Sequence, residues 1–426
     1  SRMVQNYAGV VASGDARNDI IIRGNSPSGL LWRLNGLNIP NPNHFGALGS
    51  TGGPVSILNN NLLANSDFFT GAFPAEYGNS ISGAFDLEMR SGNSEKREYT
   101  GQVGFNGFEL GAEGPFSKNS RASYLINFRY STLELMNEIG FDVAGEAIPQ
   151  YKDLSFKVNV PIKNAGKFEL FGIGGTSYIE FLEEERDTAD FSYEAPAGTD
   201  LRNGSDMGAV GLSHTYFFDE NTRLKSSLSV SGQRVETTID SVMPEGGRKL
   251  FYHENNSQYS YSGKLKFIKK LSAKDNINAG IIVDQYQVNY VDSARTEEGD
   301  FMQNIDIRES GLTLLQSFAQ WQHRFTDALT LYGGLHHQYF RLTDEHVVEP
   351  RASMRWNFAG NQNLTLGYGL HHQTQPLYLY YVQTELDNGQ YIETNRNLEF
   401  TRSHHYVASY NYSFSPSLRL KMETYY

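Results

Sequence analysis

The amino-acid sequence predicts an all-β membrane protein whose antiparallel strands form a β-barrel. From residue 98 onwards, segments of about ten residues alternate apolar and polar side chains, as the strands of a membrane barrel do. The turns between these segments alternate between short and long, and an aromatic residue precedes most of the short ones. No run approaches the roughly 18 consecutive apolar residues of a membrane-spanning helix, although 39% of the residues are hydrophobic.

Composition excludes several classes of function. The formal net charge of −12 leaves no basic surface for nucleic acid, so we expect no nucleic-acid partner. The chain has no cysteine, which excludes disulfides and thiolate metal sites. Its first residues do not resemble a signal peptide, so we interpret Ser1 as a start within a domain.

The first 96 residues lack the regular ten-residue alternating segments of the rest and are predicted to form a separate small domain. Turn-forming residues divide this region into short segments, and an alternating run at residues 84–90 predicts a half-buried strand. The Asn-, Gly- and Pro-rich stretch at residues 38–53 predicts a loop. Short strands are also predicted at residues 4–11 and 19–23, a pair-forming segment at residues 29–39, and a short helix or turn at residues 61–66.

The remaining residues, 97–426, contain about fifteen predicted strands. Short turns are expected at residues 117–120, 163–166, 219–222, 273–276, 326–328, 359–363 and 415–417. Long connections are expected at residues 131–152, 183–206, 240–255, 292–311 and 373–398. Short turns at one end and long loops at the other are typical of outer-membrane barrels.

Aromatic residues and strand faces support the same architecture. Rings before the short turns suit the headgroup level of a membrane; these are Phe116, Phe217, Phe218, Phe267, Phe325, Phe358 and Phe414. In the last segment, Leu418, Leu420 and Met422 alternate with charged residues, which predicts apolar side chains outside and polar ones inside.

Two local features add detail. The first hairpin is expected to join residues 98–105 and 109–116 through Asn106-Gly107-Phe108, because Asn-Gly favours tight turns. Within residues 277–290 the apolar positions change from odd to even numbers, which predicts a β-bulge.

Three blocks in the first domain carry a family resemblance. They are Ile22-Arg23-Gly24, then Asn35-Gly36-Leu37, and finally Tyr77-Gly78 followed through Gly83 to Met89. Together they resemble the plug domain of TonB-dependent outer-membrane receptors. The sequence of residues 71–93 looks most like that of the Bacteroidota-type subgroup. The resemblance implies a small α+β plug (residues 1–96) inside the lumen of a β-barrel (residues 97–426). Since the family's barrels have about 22 strands, we expect the chain to be incomplete at both ends.

The resemblance also implies a function. The chain should be a receptor in the bacterial outer membrane that imports a small-molecule or oligomeric extracellular ligand, powered by a TonB-type inner-membrane protein. Outer-membrane lipids surround it, and a surface lipoprotein or other outer-membrane subunits are further candidate partners. No catalytic constellation stands out, so neither an enzyme nor a cofactor is expected.

An alternative is a structural or assembly subunit of a larger outer-membrane complex. It rests on Thr70 and Val407, which stand where the family has a plug arginine and a wall glutamate. In the family, the arginine that corresponds to Arg23 pairs with wall glutamates. Here Glu88, Glu399 and Glu423 are candidate partners, and a salt bridge within the plug is the other possibility.

Ligand-facing candidates come from the plug loop and from three histidine pairs. The resemblance implies that the loop with Asn41, Asn43 and His44 contacts substrate. Neighbours on a strand face opposite sides, so alternation selects one lumenal member of each pair; these are His336, His371 and His405. They are either metal ligands or lumenal polar residues without a ligand. The acidic run at residues 180–190 is either a calcium site or a solvated loop.

Overall fold

The computed structural model describes residues 7–12, 19–104, 107–118, 120–131, 149–185, 197–295, 301–386 and 388–426. Its first part, up to residue 92, contains eight short strands. They are β1 (Val10–Ala12), β2 (Ile20–Ile22), β3 (Leu30–Leu34), β4 (Leu37–Asn38), β5 (Asn43–His44), β6 (Val55–Ser56), β7 (Asp67–Phe69) and β8 (Gly83–Leu87). Single 3-10 turns lie at Pro27–Gly29 and Asn60–Leu62.

These strands form a small mixed core. Strands β4, β3, β8 and β7 make one sheet in that order, in which β3 and β8 are parallel. The pair predicted at residues 29–39 is confirmed as β3 and β4. The loop expected at residues 38–53 contains β5, which pairs with β6. The strand predicted at residues 4–11 begins outside the described residues.

The rest of the chain forms one 15-stranded antiparallel sheet in sequence order. Its strands are β9 (Glu98–Gly104), β10 (Gly107–Pro115), β11 (Ser123–Tyr130), β12 (Gln150–Ile162), β13 (Gly166–Phe181), β14 (Thr199–Phe217), β15 (Thr222–Val242), β16 (Arg248–Lys270), β17 (Asp275–Arg295), β18 (Phe301–Arg324), β19 (Leu329–Phe340), β20 (Glu345–Ala359), β21 (Gln362–Gln373), β24 (Thr401–Ser415) and β25 (Leu418–Tyr425). Between β21 and β24 lie a 3-10 turn (Leu377–Tyr381) and a small hairpin of β22 (Gln383–Glu385) and β23 (Tyr391–Glu393).

The sheet curves around the N-terminal domain, so its inner face is a wall and the domain is a plug. Contacts with the plug come from strands far apart in the sheet. Asn59 donates to Glu109 of β10 (2.7 Å), Lys264 of β16 donates to Glu76 (3.0 Å), and Arg23 lies 3.4 Å from Glu423 of β25. This confirms the predicted architecture of a barrel wall with a plug inside. In the described part of the chain, β9 and β25 are the edges of the sheet.

The faces of the wall follow the predicted alternation. Leu228 (66% exposed), Ile281 (54%) and Leu335 (55%) point outwards, whereas the adjacent inward residue His336 is fully buried. The aromatic residues at the short turns are also exposed on the outside. An apolar exterior and a polar interior are the pattern of a barrel in lipid.

Among the described residues, no helix combines the length and the apolar character that a membrane span requires.

Two local predictions need correction. Gly107 pairs with Gly104 and Phe108 with Val103, so Gly107 and Phe108 belong to β10 and not to the turn. Asn106 lies outside the described residues.

The bulge predicted within residues 277–290 belongs to the partner strand rather than to β17 itself. The even-numbered residues of β17 from Ile282 to Tyr290 are the inward-facing ones, so the face does not change. The pairing of β17 with β18 shifts register between Tyr286 and Gln287, where Gly311 of β18 is the extra residue and has a φ of +81°, and again between Asp292 and Ser293. The inward positions become apolar because Val288 and Tyr290 pack against Leu377 and its neighbours.

Candidate functional site

The candidate site is the surface along which plug and wall meet, together with a cavity above the plug. Arg23 lies in the turn after β2, and its Nη2 atom is 3.4 Å from Glu423 of the wall. Nη2 also donates to Thr70 Oγ1 (3.3 Å), and the guanidinium lies 4.5 Å from the ring centre of Tyr425. Of the candidate partners that sequence offers, Glu423 is therefore the one at the guanidinium. Gly24 follows in the same turn with a positive φ of 76°.

The Asn35-Gly36 block is the two-residue turn between β3 and β4. Both residues have positive φ angles (52° and 86°), which a two-residue hairpin of this type requires and which glycine adopts without strain. Asn35 Oδ1 accepts from the Met89 amide (2.9 Å). The Gly36 carbonyl accepts from Arg33 (3.0 Å) and from Lys264 of the wall (3.1 Å).

Glu76 is the centre of a buried ionic cluster that joins plug and wall. Its carboxylate accepts from Arg33 of the plug (2.9 Å) and from Lys264 (3.0 Å) and Lys266 of β16. Burial alone would raise the pKa of Glu76, but these three cations outweigh it and hold the pKa well below its ordinary value. Tyr77, next in the chain, donates to Asp86 (2.7 Å) beneath the Arg33 guanidinium.

A second group of wall residues binds the backbone of the plug between β7 and β8. Arg351 of β20 donates from Nη1 to the carbonyls of Pro74 (2.7 Å) and Tyr77 (2.5 Å). Its Nη2 donates to Glu349 (2.5 Å), which is fully buried and also accepts from the amide of His372 (2.6 Å). The guanidinium charge is thus balanced by Glu349 while its donors hold the plug.

The three histidines selected by alternation all lie against this same plug segment. His336 Nδ1 donates to the Ala75 carbonyl (2.7 Å). His405 Nε2 donates to Ile81 O (2.9 Å), and the ring of His371 lies 4.4 Å from that of His405. Gly78 packs so tightly beneath His336 that a Cβ there would collide with the imidazole. A ligand role for these histidines stays a prediction, since their rings contact the plug in this structure.

Gly83 begins β8 and pairs with Leu30 of β3. No cluster of three histidine, aspartate or glutamate side chains that could bind a metal occurs within the part of the chain that the structure describes. The acidic run lies partly outside the described residues.

The polar residues of the 38–53 loop bind mainly to each other and to the wall. His44 Nε2 lies 3.0 Å from Asp153 Oδ2, which also accepts from Arg129 (2.7 Å). Burial lowers the pKa of His44 despite the nearby carboxylate, which favours a neutral ring that donates from Nε2. Asn43 donates to Asn41 Oδ1 (2.6 Å), and Asn41 donates to the Gly52 carbonyl (2.7 Å). Their contact with substrate stays a prediction.

A cavity of about 250 Å³, here called the upper cavity, lies between the plug loops, strands β15–β17 and residues 373–378. It is on the side of the plug that faces the long connections. Its polar lining is almost entirely amide and hydroxyl groups: Ser28, Asn38, Asn41, Ser50, Thr51, Asn79, Ser231, Gln233, Gln258, Ser260, Gln373, Thr374 and Gln375.

Sequence reasoning missed the Glu76 cluster, Arg351 and Glu349. A signal for the lysines was present, because Lys264 and Lys266 occupy inward-facing positions of an alternating strand. Arg351 binds backbone carbonyls, which have no signature in the sequence.

Comparison with known proteins gives one family and a set of similar folds. Residues 150–426 match the family model described as TonB dependent receptor-like, beta-barrel. No curated protein matches the chain in sequence. The fold is similar to a ferric enterobactin receptor (PfeA) of Pseudomonas aeruginosa, with 13% identity, a TM-score of 0.68, and coverage of 100% of this chain and 68% of that one.

Two further solved structures are similar. The siderophore receptor PirA of Acinetobacter baumannii has 13% identity and a TM-score of 0.65 over 100% of this chain and 67% of that one. The outer membrane transporter YddB of Escherichia coli has 11% identity and a TM-score of 0.60 over 93% of this chain and 61% of that one. At these identities the likeness concerns the fold.

Proposed function

The chain belongs to the TonB-dependent receptor family, and from this premise we propose that it binds an extracellular ligand and imports it actively. Its location is the outer membrane of a Gram-negative bacterium, and its family is one of receptors rather than a class of enzymes. Membership of the Bacteroidota-type subgroup stays a prediction.

One observation carries the proposal: the plug lies within the curve of the wall and binds it on strands from β10 to β25. The contacts include buried ion pairs at Glu76 and Glu423 and the hydrogen bonds of Arg351. A wall plugged in this way does not let solutes diffuse through freely, so passage requires the plug to move. Such contacts contribute about 1 kcal/mol each, and movement of the plug would break many of them together, which supports a need for an external energy source.

The energy source we propose is a TonB-type protein of the inner membrane. We further propose that residues 1–96 act as the moving plug and residues 97–426 as the fixed wall. The ligand would enter from the side of the long connections and meet the plug loop that contains Asn41, Asn43 and His44. His336, His371 and His405 would become accessible to it only after the plug leaves them.

The alternative of an assembly subunit rests on the altered positions Thr70 and Val407. The ion pairs of Glu76 with Lys264 and Lys266 join plug and wall elsewhere, so the loss of one family pair leaves the plug held. This favours import over a purely structural role.

The test is ligand uptake by cells that carry the complete protein, with and without a protonophore. We expect uptake to stop when the proton gradient is removed, and deletion of residues 1–96 to produce a leaky pore in planar bilayers. Uptake that continues without the gradient would contradict active import. A stable complex with other outer-membrane proteins and no uptake phenotype would favour the assembly role.

A further inference from the structure

We propose that the upper cavity binds an uncharged, hydroxyl-rich group, of which a sugar unit of a carbohydrate is the chemical type. The inference rests on the proposed function, because it names the class of ligand that the receptor would take. It is argued from the charge, the hydrogen-bonding groups and the size of the cavity.

The first step concerns charge. Among the described residues that line the cavity, Asp284 is the single ionisable acid and no lysine, arginine or histidine is present. Asp284 is occupied by Ser262 and by Gln316 (2.9 Å). Lys264, close by on the neighbouring strand, binds Glu76 and the Gly36 carbonyl instead. An anionic ligand such as a ferric siderophore would therefore find no cation here and would face a carboxylate.

The second step concerns hydrogen bonds. Amide side chains present both donors and acceptors, as hydroxyl groups of a sugar do. Gln258 accepts from Tyr290 through Oε1 (2.9 Å), which orients its amide. Thr51 and Trp32 also line the cavity, and both are 4% exposed. Thr51 Oγ1 and Trp32 Nε1 have no hydrogen-bond partner among the described residues, but both atoms are closed to solvent. The groups that can bind a ligand here are therefore the amides and hydroxyls of the lining.

The third step concerns shape. Tyr286 and Tyr378 contribute aromatic surface to the lining, which suits the apolar face of a sugar ring. The volume of about 250 Å³ is just below the roughly 300–1,000 Å³ of typical ligand pockets. The cavity thus has room for one end of a longer ligand rather than for a large iron complex.

The experiment uses Trp32 as the reporter. The other tryptophans, Trp321 and Trp356, are exposed on the outer face of the wall, so Trp321→Phe with Trp356→Phe leaves Trp32 as the sole indole. The purified complete protein in detergent is titrated with glucose, galactose, mannose, N-acetylglucosamine and their disaccharides. Ferric enterobactin, citrate and a blocked neutral tripeptide serve as competing classes. We expect a saturable change of Trp32 emission with at least one sugar and with none of the other probes.

Two variants test the site itself. Gln258→Leu should weaken sugar binding about tenfold through the loss of its hydrogen bonds. The matched control is Gln285→Leu on β17, whose side chain is exposed on the outer face, and it should leave binding unchanged. Ser231→Ala, a smaller change in the same lining, should weaken sugar binding severalfold without lowering the melting temperature.

Three results would overturn the proposal. One is saturation by ferric enterobactin, citrate or the tripeptide in place of a sugar, and another is the absence of any sugar response. The third is a Gln258→Leu protein that binds sugar as before. These results leave energy-dependent import standing. If sugar binds at this cavity but uptake needs no proton gradient, the proposal of active import is contradicted and the proposal of a sugar site is not.

Discussion

Two arcs of the wall hold the plug by different physical means. Along β11–β14, the inward side chains Leu125, Phe171, Ile173 and Met207 belong to the same apolar cluster as the strands of the plug. Across β16 and β19–β25, the contacts are the ion pairs of Glu76 and Glu423 and the hydrogen bonds to plug backbone from Arg351, His336 and His405. The β11–β14 arc thus adds an apolar cluster to polar contacts such as those of Arg129 with the Ser56 carbonyl and of His44 with Asp153, whereas the contacts of the other arc are mainly polar.

The difference has a consequence for movement. Separating apolar surfaces costs about 25 cal/mol for each Å² exposed to water, and water offers nothing in return. Hydrogen bonds and ion pairs can be exchanged for bonds to water, so their net contribution is smaller than their strength in isolation. We therefore expect a pull on the plug to open the polar arc first, while the apolar arc holds the remainder in place.

The largest expected effect is on the apolar arc. Phe171 is 1% exposed and packs against the plug core, so Phe171→Ala should reduce the free energy of unfolding by about 3–5 kcal/mol. Thermal unfolding in detergent measures this. Leu212→Ala on the adjacent strand is the control, because Leu212 is exposed on the outer face. Equal melting temperatures for the two variants would contradict the idea that the apolar arc carries plug packing.

The next effect is on the ionic cluster. Glu76→Ala leaves Arg33, Lys264 and Lys266 close together without their shared anion, which should cost about 3 kcal/mol and release the polar arc. The readout is conductance in planar bilayers, where the variant should show frequent openings. Glu88→Ala, an exposed plug carboxylate, should remain closed. If neither variant shows openings, the polar arc is not the side at which the plug separates from the wall first.

The cluster also shows where sequence reasoning succeeds and where it ends. Alternation along 15 strands determines the two faces of the wall, so the fold and the facing of His336 could be read from local pattern. Glu76 and Lys264 are 188 residues apart, and local pattern says only that each is charged and enclosed. Their pairing depends on how the wall wraps the plug, which needs the three-dimensional register.

The assignment of the bulge to β17 rather than to β18 has a similar cause. Apolar residues at inward positions of β17 resemble a change of face when the interior is assumed to be polar. In the structure Val288 and Tyr290 stay inward and pack against Leu377, which reaches them from a distant connection. A long-range apolar contact thus imitates a local irregularity in the sequence pattern.

Acid should weaken the polar arc selectively. The folded protein lowers the pKa of Glu76 below its ordinary 4.5, so the stabilisation is fully present above that value and is lost as pH falls through the folded pKa. We expect conductance to stay low from neutral pH through the ordinary glutamate range and to rise only below it. Glu76→Gln cannot gain a proton in this range, so its conductance should not show this rise at low pH. An identical acid response in both proteins would assign it to other groups.

A smaller effect is expected at Arg351. Lysine has a single nitrogen, so it cannot bind Glu349 and the Pro74 and Tyr77 carbonyls together, as Nη2 and Nη1 of Arg351 do. Arg351→Lys should therefore cost about 2 kcal/mol locally. Hydrogen exchange at residues 72–78 should accelerate, while exchange in β3 stays slow. The control is Arg355→Lys on the same strand, whose side chain is exposed. Acceleration in β3 as well would mean that the plug responds as one unit.

The smallest effect is expected at Arg23, although family resemblance gives it the most prominence. Its contact with Glu423 is long at 3.4 Å, and the Tyr425 ring covers the guanidinium. Arg23→Gln should therefore cost only about 1 kcal/mol, since glutamine can still donate to Thr70 or Glu423. Chemical unfolding compared with exposed Arg402→Gln measures this difference. If Arg23→Gln lowers the free energy of unfolding as much as Glu76→Ala does, the contact of Arg23 with Glu423 is a main ionic contact of the polar arc.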